Sequence, residues 1–553
     1  MMSHKVMSEV AGETLTHVSV PQGTLGALLL ARRDETENGL VSLNSEGHEI
    51  RISYAELAEN AACLCAGLYA SGLVAGDRVL LQLETAAEAI SAFWACSLAG
   101  VVPIPLNTSI SYQTLNPQTQ KLIAAWAKFD RPKLLVSPHL IKPLAALETL
   151  DPQFTPFCID YSQASESPAA TSFYTAQPND PAVMFLTSGS TGNSKGVVQT
   201  HAAMLSMADA TIQMNGFGRD DVTLNWMSLD HAGSLVFLGV MAMAAGCKQV
   251  HVPVEYVLKD PARWLDLIHN YRATISWAPN FAFSLYLDRQ NEFLEREWDL
   301  SCMRFMVNAG EAIVSKTARR FIELLEKFSL PVDALRPAFG MVETCSGITW
   351  SRGITLSNSS DDDPFVDLGP IIPGAAMRII DELGNTVEQG EPGRLLLRGP
   401  SVFTGYEDES QANVGLFIDD WMITGDLAYI ENNHLFITGR EKDVIIINGN
   451  NFYSHEIEGV VGEIEGVVRE AVAACGVRRA GENTERLAIF YAVSDASDAE
   501  ARRALEKKIR GAVASACGVT ATVFVCLEAS RFPRTEIGKI KRPKLVQSYE
   551  AGE

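Results

Sequence analysis

Apolar residues recur at helical spacing over 54–71, where Leu57, Ala61, Leu64 and Leu68 share one face. After a turn at Gly76-Asp77, residues 79–81 read as a strand. Small residues then continue helically to about Ala99, and Val101-Val102-Pro103-Ile104 opens the next strand. Strand, helix, strand is a β-α-β unit. The alternation returns further on, with strands predicted at 223–227, 248–252, 274–277 and 304–307 and helices between and after them, including 316–328. Layered α/β architecture is therefore expected for residues 50–345.

The texture changes after about residue 350. An acidic loop (Asp361-Asp362-Asp363) leads into short predicted strands at 377–380, 394–397, 427–430 and 435–437, with Glu431-Asn432-Asn433 as a hairpin turn. A smaller α/β unit follows Gly439-Arg440-Glu441-Lys442-Asp443: a strand at 444–447, a helix near 455–464, a strand at 487–493 and a helix at 498–516 with Leu505, Ile509 and Val513 in register. The expected fold is a large layered α/β N-terminal domain over 1–440, its 350–440 part β-rich, plus a small α+β C-terminal domain over 441–553.

A length of 553 residues exceeds one typical core and agrees with this division. The net charge of −22 argues against nucleic acid and anionic membranes as partners, so an anionic substrate must be met by local cations and a metal. The ten cysteines form no Cys-x-x-Cys pair and no zinc-type cluster; Cys63 and Cys65 fall on different faces of a helix. Glu9 and Glu13 interrupt any signal-peptide pattern, and the longest apolar run, 235–246, is too short to span a bilayer. A cytoplasmic protein with reduced thiols is expected.

The most informative segment is Thr187-Ser188-Gly189-Ser190-Thr191-Gly192-Asn193-Ser194-Lys195-Gly196, which follows the apolar run Ala182-Val183-Met184-Phe185-Leu186. Glycines let the backbone approach anionic oxygens, hydroxyls and amides donate hydrogen bonds, and the lysine adds a point charge. A flexible linker has similar composition, but it seldom separates two apolar strands. The loop is not a Walker motif, because no Gly-Lys-Ser/Thr ends it.

Four further segments accompany it: Gly340-Met341-Val342-Glu343-Thr344, Trp421-Met422-Ile423-Thr424-Gly425-Asp426, Gly439-Arg440-Glu441-Lys442-Asp443, and Pro533-Arg534-Thr535-Glu536-Ile537-Gly538-Lys539-Ile540-Lys541-Arg542. The second reads as an aspartate closing a strand. Singly they are a turn acid, a hairpin end, a solvated linker and a basic tail. Together, in this order, they resemble the adenylate-forming superfamily of acyl-CoA synthetases, nonribosomal peptide synthetase adenylation domains and luciferases, and the resemblance runs from about 50 to 545.

The resemblance implies a two-step reaction: a carboxylate and MgATP give acyl-adenylate and pyrophosphate, and a thiol then takes the acyl group. It implies that Thr187, Ser188, Gly189, Ser190, Thr191, Gly192 and Lys195 grip the leaving phosphates, and that Glu343 holds Mg²⁺. Gly310, Glu311, Phe339, Gly340 and Met341 would line the nucleotide, Phe339 standing where the family usually has tyrosine. Asp426 would bind the ribose with Arg440 assisting. Lys539, in preference to Lys541, would bridge carboxylate and α-phosphate. Lys442 would be the hinge on which the small domain swings.

Within Trp226-Met227-Ser228-Leu229-Asp230-His231-Ala232-Gly233, His231 matches the gate at the acyl pocket, although a structural histidine is the alternative. Amino-acid-activating relatives carry an aspartate next, where this chain has Ala232, which cannot pair a buried ammonium. The substrate is expected to be an acyl or aryl acid without an α-amino group. Ala232, Gly233, Trp277, Asn280, Phe281, Val307 and Ser346 are the candidate pocket residues, with a plain core role as the alternative for Trp277 and Phe281. Cys345 is expected to pack and not to react.

Residues 439–458 look closest to fatty acyl-AMP ligases and to assembly-line loading domains. Two features depart from those ligases: only about twenty residues separate the Glu343 turn from Leu368-Gly369-Pro370, too few for their long insertion, and Ser454 replaces a proline. The expected acceptor is a phosphopantetheine thiol on an acyl carrier protein in a separate chain, or coenzyme A. A luciferase-like oxidase and an inactive nucleotide-binding homologue are the alternatives.

Overall fold

The computed structural model describes residues 6–187, 195–293, 295–407, 409–447, 450–477, 486–493, 499–534 and 540–551. The predicted 54–71 helix forms as Tyr54–Ala70, with Leu57, Ala61, Leu64 and Leu68 fully buried. A capping box starts it: Ser53 accepts from the Glu56 amide while the Glu56 carboxylate accepts from Ser53. The helix Ala86–Ala99 begins the same way at Thr85 and Glu88 and ends on Gly100 at φ 71°, the left-handed conformation glycine reaches without strain.

The predicted strands are present, but they do not share one sheet. Val102–Pro105, Arg78–Gln82, Lys133–Val136 and Cys158–Asp160 form a four-stranded parallel sheet in that order. The later strands form an eight-stranded sheet ordered Gly347–Trp350, Leu335–Gly340, Phe305–Asn308, Ile275–Ala278, Val222–Asn225, Lys248–His251, Gly39–Leu43, Glu49–Ser53. Its inner strands are parallel and an antiparallel strand closes each edge. Inner strands buried on both sides explain their continuous apolar runs.

The glycine loop joins two strands of a third sheet, where Pro181–Thr187 pairs with Lys195–Thr200 and the latter with Tyr406–Glu407. The β-rich region is a six-stranded sheet in which Trp421–Glu431 pairs with His434–Arg440. Asn432 and Asn433, at φ 51° and 67°, make the predicted turn. Asp426 does not close its strand as expected. It sits inside the eleven-residue strand Trp421–Glu431, after Gly425 at φ 76°.

Residues 235–246 fold as a π-helix, Gly233–Val240, running into the helix Met241–Ala245. Beyond residue 443, Ile445, Ile457, Val461, Ile489, Ile509 and Val513 pack into an apolar cluster of their own. The strand Val467–Val477, absent from the pattern reading because Arg469 and Glu470 interrupt its apolar alternation, pairs with Arg486–Val493. Among the described residues no helix is long and apolar enough to cross a membrane.

Candidate functional site

The site lies at the carboxyl ends of the parallel strands, where open α/β sheets place their ligands. The strand Leu335–Gly340 runs antiparallel to Gly347–Trp350 with a bulge between Phe339 and Gly340. A Cβ on Gly340 would stand 2.1 Å from the Ser346 carbonyl oxygen, so only glycine fits. The short 3₁₀ turn Val342–Thr344 follows, closed by the Thr344 hydroxyl on the Met341 and Ser346 carbonyls at 2.9 and 2.7 Å. Cys345 comes next at φ 63°, fully buried, its thiol pushed far up by burial and therefore inert.

This turn carries Glu343, 7% exposed. The Tyr406 hydroxyl donates to Glu343 Oε1 at 2.8 Å. Burial pushes the Glu343 carboxyl above its usual range, opposed by the Tyr406 hydrogen bond and the Arg440 charge. Lys195 Nζ stands 4.3 Å over the Tyr406 ring, a cation–π contact. Tyr406 thus links the lysine that follows the glycine loop to the candidate metal carboxylate. Gln199 strengthens the same link, its Nε2 donating to the Val342 carbonyl at 2.6 Å.

Tyr406 and Gln199 are absent from the sequence reading. Tyr406 lies 63 residues from Glu343, and only the pairing of Tyr406–Glu407 with Lys195–Thr200 brings them together. The aromatic residue after Gly405 is the single local hint. Among the described residues no group of three His, Cys, Asp or Glu forms a metal cage. One buried carboxylate without such a cage fits Mg²⁺, which binds through one or two carboxylates together with phosphate oxygens.

Asp426, 3% exposed, faces Arg440 across the strand pair, and Arg440 Nε approaches Asp426 Oδ1 at 2.9 Å. The pair fixes the plane of the carboxylate, and the Asp426 charge foremost raises the Arg440 pKa. Gly310, at φ 88°, and Glu311 follow Phe305–Asn308, and Glu311 Oε1 accepts from the Phe281 amide at 2.6 Å. Phe339 is half-buried on the strand leading to Glu343.

His231 and Phe281 line a cleft of about 1410 Å³ between the two parallel sheets. Asp230 is buried there, its Oδ2 3.3 Å from Lys121 Nζ and its Oδ1 3.7 Å from His231 Nε2. Burial pushes its carboxyl up, but His231, Lys121 and hydrogen bonds outweigh this and hold it below its usual range. Trp277 fills the space beside Gly233 and Gly310: a Cβ on Gly233 would meet Trp277 Cζ2 at 3.0 Å, and one on Gly310 would meet Cζ3 at 3.6 Å. Ala232, Val307 and Ser346 are buried, and Val307 stands opposite Trp277 on the neighbouring strand. Asn280 is occupied structurally, its Oδ1 accepting from Asn308 Nδ2 at 3.2 Å and the Val314 amide at 3.3 Å.

Residues 440–443 are held from two sides. Arg440 is tied to Asp426, and Glu441 lies 3.2 Å from Arg394 of the β-rich sheet. Asp443 lies 3.1 Å from Arg542, and its carbonyl accepts from the Ser454 hydroxyl at 2.7 Å. Lys442 lies between these anchors in the chain, and Ser454, which replaces the proline usual in fatty acyl-AMP ligases, supplies one of them. The candidates Ser188, Gly189, Ser190, Thr191 and Gly192 and the catalytic candidate Lys539 lie outside the described residues. Arg534, just before Lys539, is close enough to Glu311 for that charge to act on it.

The AMP-binding enzyme family profile matches residues 31–407. Microperfuranone synthase of Emericella nidulans is 32% identical over 538 residues, covering 95% of this chain and 57% of its own length. The chain therefore spans a little over half the length of such curated relatives. Among solved structures, McyG A-PCP complexed with phenylalanyl-adenylate matches with TM-score 0.91 at 38% identity, over 99% of this chain and 85% of its own. A multidomain structure of a keto acid-selecting NRPS module matches with TM-score 0.90 at 33% identity, over 99% of this chain and 47% of its own.

Proposed function

The chain belongs to the AMP-binding enzyme family and is an adenylate-forming ligase, and from that premise we propose that it activates an α-keto acid with an apolar side chain and passes the acyl group to a phosphopantetheine thiol. The observation that carries the substrate class is the state of the segment 230–232. Ala232 offers no charge, and the Asp230 carboxylate already faces the Lys121 ammonium at 3.3 Å. A substrate ammonium would lose its water without gaining a counter-ion, a penalty of several kcal/mol. A keto group carries no such charge, and one solved relative is described as keto acid-selecting.

In the first step a substrate carboxylate oxygen attacks the α-phosphorus, the bond between α- and β-phosphates breaks, and pyrophosphate leaves. Two anions approach one another, so the protein's task is neutralisation and alignment. Lys539 bridges carboxylate and α-phosphate, while Lys195 and the glycine loop hold the leaving phosphates. Asp426, planed by Arg440, accepts from the ribose hydroxyls, and Phe339 stacks on the base. Glu343 would hold Mg²⁺, which when bound offsets phosphate charge. In the second step a thiolate attacks the acyl carbon and AMP leaves, after the unit 441–553 has turned about Lys442. An acyl carrier protein or coenzyme A would supply that thiol.

The test is pyrophosphate release with matched pairs of 2-oxo and 2-amino acids bearing the same side chain. The oxo acids should win by about a hundredfold or more. Preference for the amino acid would instead support a second reading suggested by the phenylalanyl-adenylate of one neighbour, and would overturn the keto-acid assignment. Lys539→Ala should abolish release while MgATP still binds.

A further inference from the structure

The eight-stranded sheet has a second opening at its opposite edge, at the amino ends of Phe305–Asn308 and Leu335–Gly340. A cavity of about 690 Å³ lies there, lined by Arg304, Arg336, Arg352, Asp333, Glu13 and Trp350 among others. Its size falls in the range of small-molecule sites, roughly 300–1,000 Å³. In a chain of net charge −22, three arginines around one cavity are not a by-product of composition.

Arg336 is the deepest of them, its side chain 17% exposed and its guanidinium 5.6 Å from the centre of the Phe305 ring. Nη2 donates to Asp333 Oδ2 at 3.1 Å and Nη1 reaches the Ser351 carbonyl at 3.5 Å, while Nε is buried without an acceptor. A guanidinium has five N–H donors, so its terminal nitrogens keep spare ones. Asp333 is 56% exposed and can turn to solvent. Arg304 is fixed beside it, Nη1 donating to both Asp221 oxygens at 2.7 and 2.9 Å. Burial foremost, and then the Arg304 charge, hold the Arg336 pKa below its usual value against the pull of Asp333. Arg352 is exposed at the rim.

We propose that this cavity binds a small molecule bearing a phosphoryl or carboxylate group, gripped by Arg336 with Arg304 and Arg352 beside it, at a site separate from the adenylation cleft. The planar fork of arginine suits either oxyanion, and an anion would take up the spare donors of the terminal nitrogens.

The experiment is calorimetric titration of the full chain at constant ionic strength, with the adenylation cleft saturated by a non-hydrolysable MgATP analogue. Inorganic phosphate is one probe and citrate the other. One saturable site for either ion is expected, and the ion that binds identifies the class. Arg336→Gln should weaken binding about tenfold or more, the value of a charge-assisted contact. Arg352→Ala, at the exposed rim where packing is not at stake, should weaken it about threefold and decides the matter if Arg336→Gln fails to fold. Absence of saturable binding for both ions, or affinity unchanged in the folded variants, overturns the proposal.

Discussion

Tyr406 is the residue on which the site's charge balance turns. Its hydroxyl hydrogen-bonds the ionised form of Glu343 and so opposes the upward pressure of burial on that carboxyl. Activity that needs an ionised Glu343 should fall as pH drops through this raised pKa, above the ordinary glutamate value of 4.5. Tyr406→Phe removes the bond that favours the anion, so the acid limb of the pH–rate profile should move to still higher pH. The adenylation rate at neutral pH should fall about tenfold or more. An unmoved limb would show that Tyr406 does not act through Glu343. Gly233 is a second test at this scale. Gly233→Ala places a methyl 3.0 Å from Trp277 Cζ2, so the indole must give by a few tenths of an ångström. KM for the acid should rise several-fold with MgATP affinity unchanged, as pyrophosphate-release kinetics would measure. Asp230, His231 and Ala232 stand together in one continuous segment of the sequence; Lys121, which faces Asp230 from 109 residues away, gave no such signal.

Elements place these side chains by pairing. Tyr406–Glu407 adds an edge to Lys195–Thr200 and thereby sets the lysine over the tyrosine ring. Trp421–Glu431 and His434–Arg440 bring Asp426 and Arg440 opposite each other. The segment 440–443 is anchored to the β-rich sheet on one side and, through Arg542, to the helix Ser454–Gly462 on the other. Arg542 Nε and Nη2 contact the Glu458 oxygens at 2.7 and 2.6 Å, and Nη1 reaches Asp443. Leaving two half-buried carboxylates without their cation costs about 1–3 kcal/mol. Arg542→Met should therefore lower the melting temperature of the C-terminal unit and speed its proteolysis. Pyrophosphate release should fall along with that loss, because the same unit carries Lys539, the residue proposed for adenylation. An unchanged melting temperature and proteolysis rate would argue against the anchor. The helices were legible from 3.6-residue periodicity, whereas the assignment of strands to separate sheets was not, because parallel pairing leaves no local mark.

Over the whole molecule, the buried His201 and His251 and the partly buried His455 fold uncharged. His201 and His455 are lowered to about 4 and His251 to about 3, burial being the largest cause in each. Each binds a proton more readily unfolded, where the ordinary value is 6.5, than folded. Their contribution is complete above pH 6.5 and is lost as pH falls toward 4, up to about 3 kcal/mol apiece. Denaturant unfolding between pH 7 and 4 should show that decline, and His251→Gln should flatten part of it. The sequence by itself determined the alternating α/β plan, the β-rich region and the family of chemistry, because periodicity and ordered motifs are local properties of the chain. Only the tertiary structure decided what surrounds each charge: Tyr406 on Glu343, Lys121 on Asp230, Arg542 on Asp443, and three arginines around a second cavity. Those relations depend on contacts between distant segments, and a one-dimensional pattern does not record them.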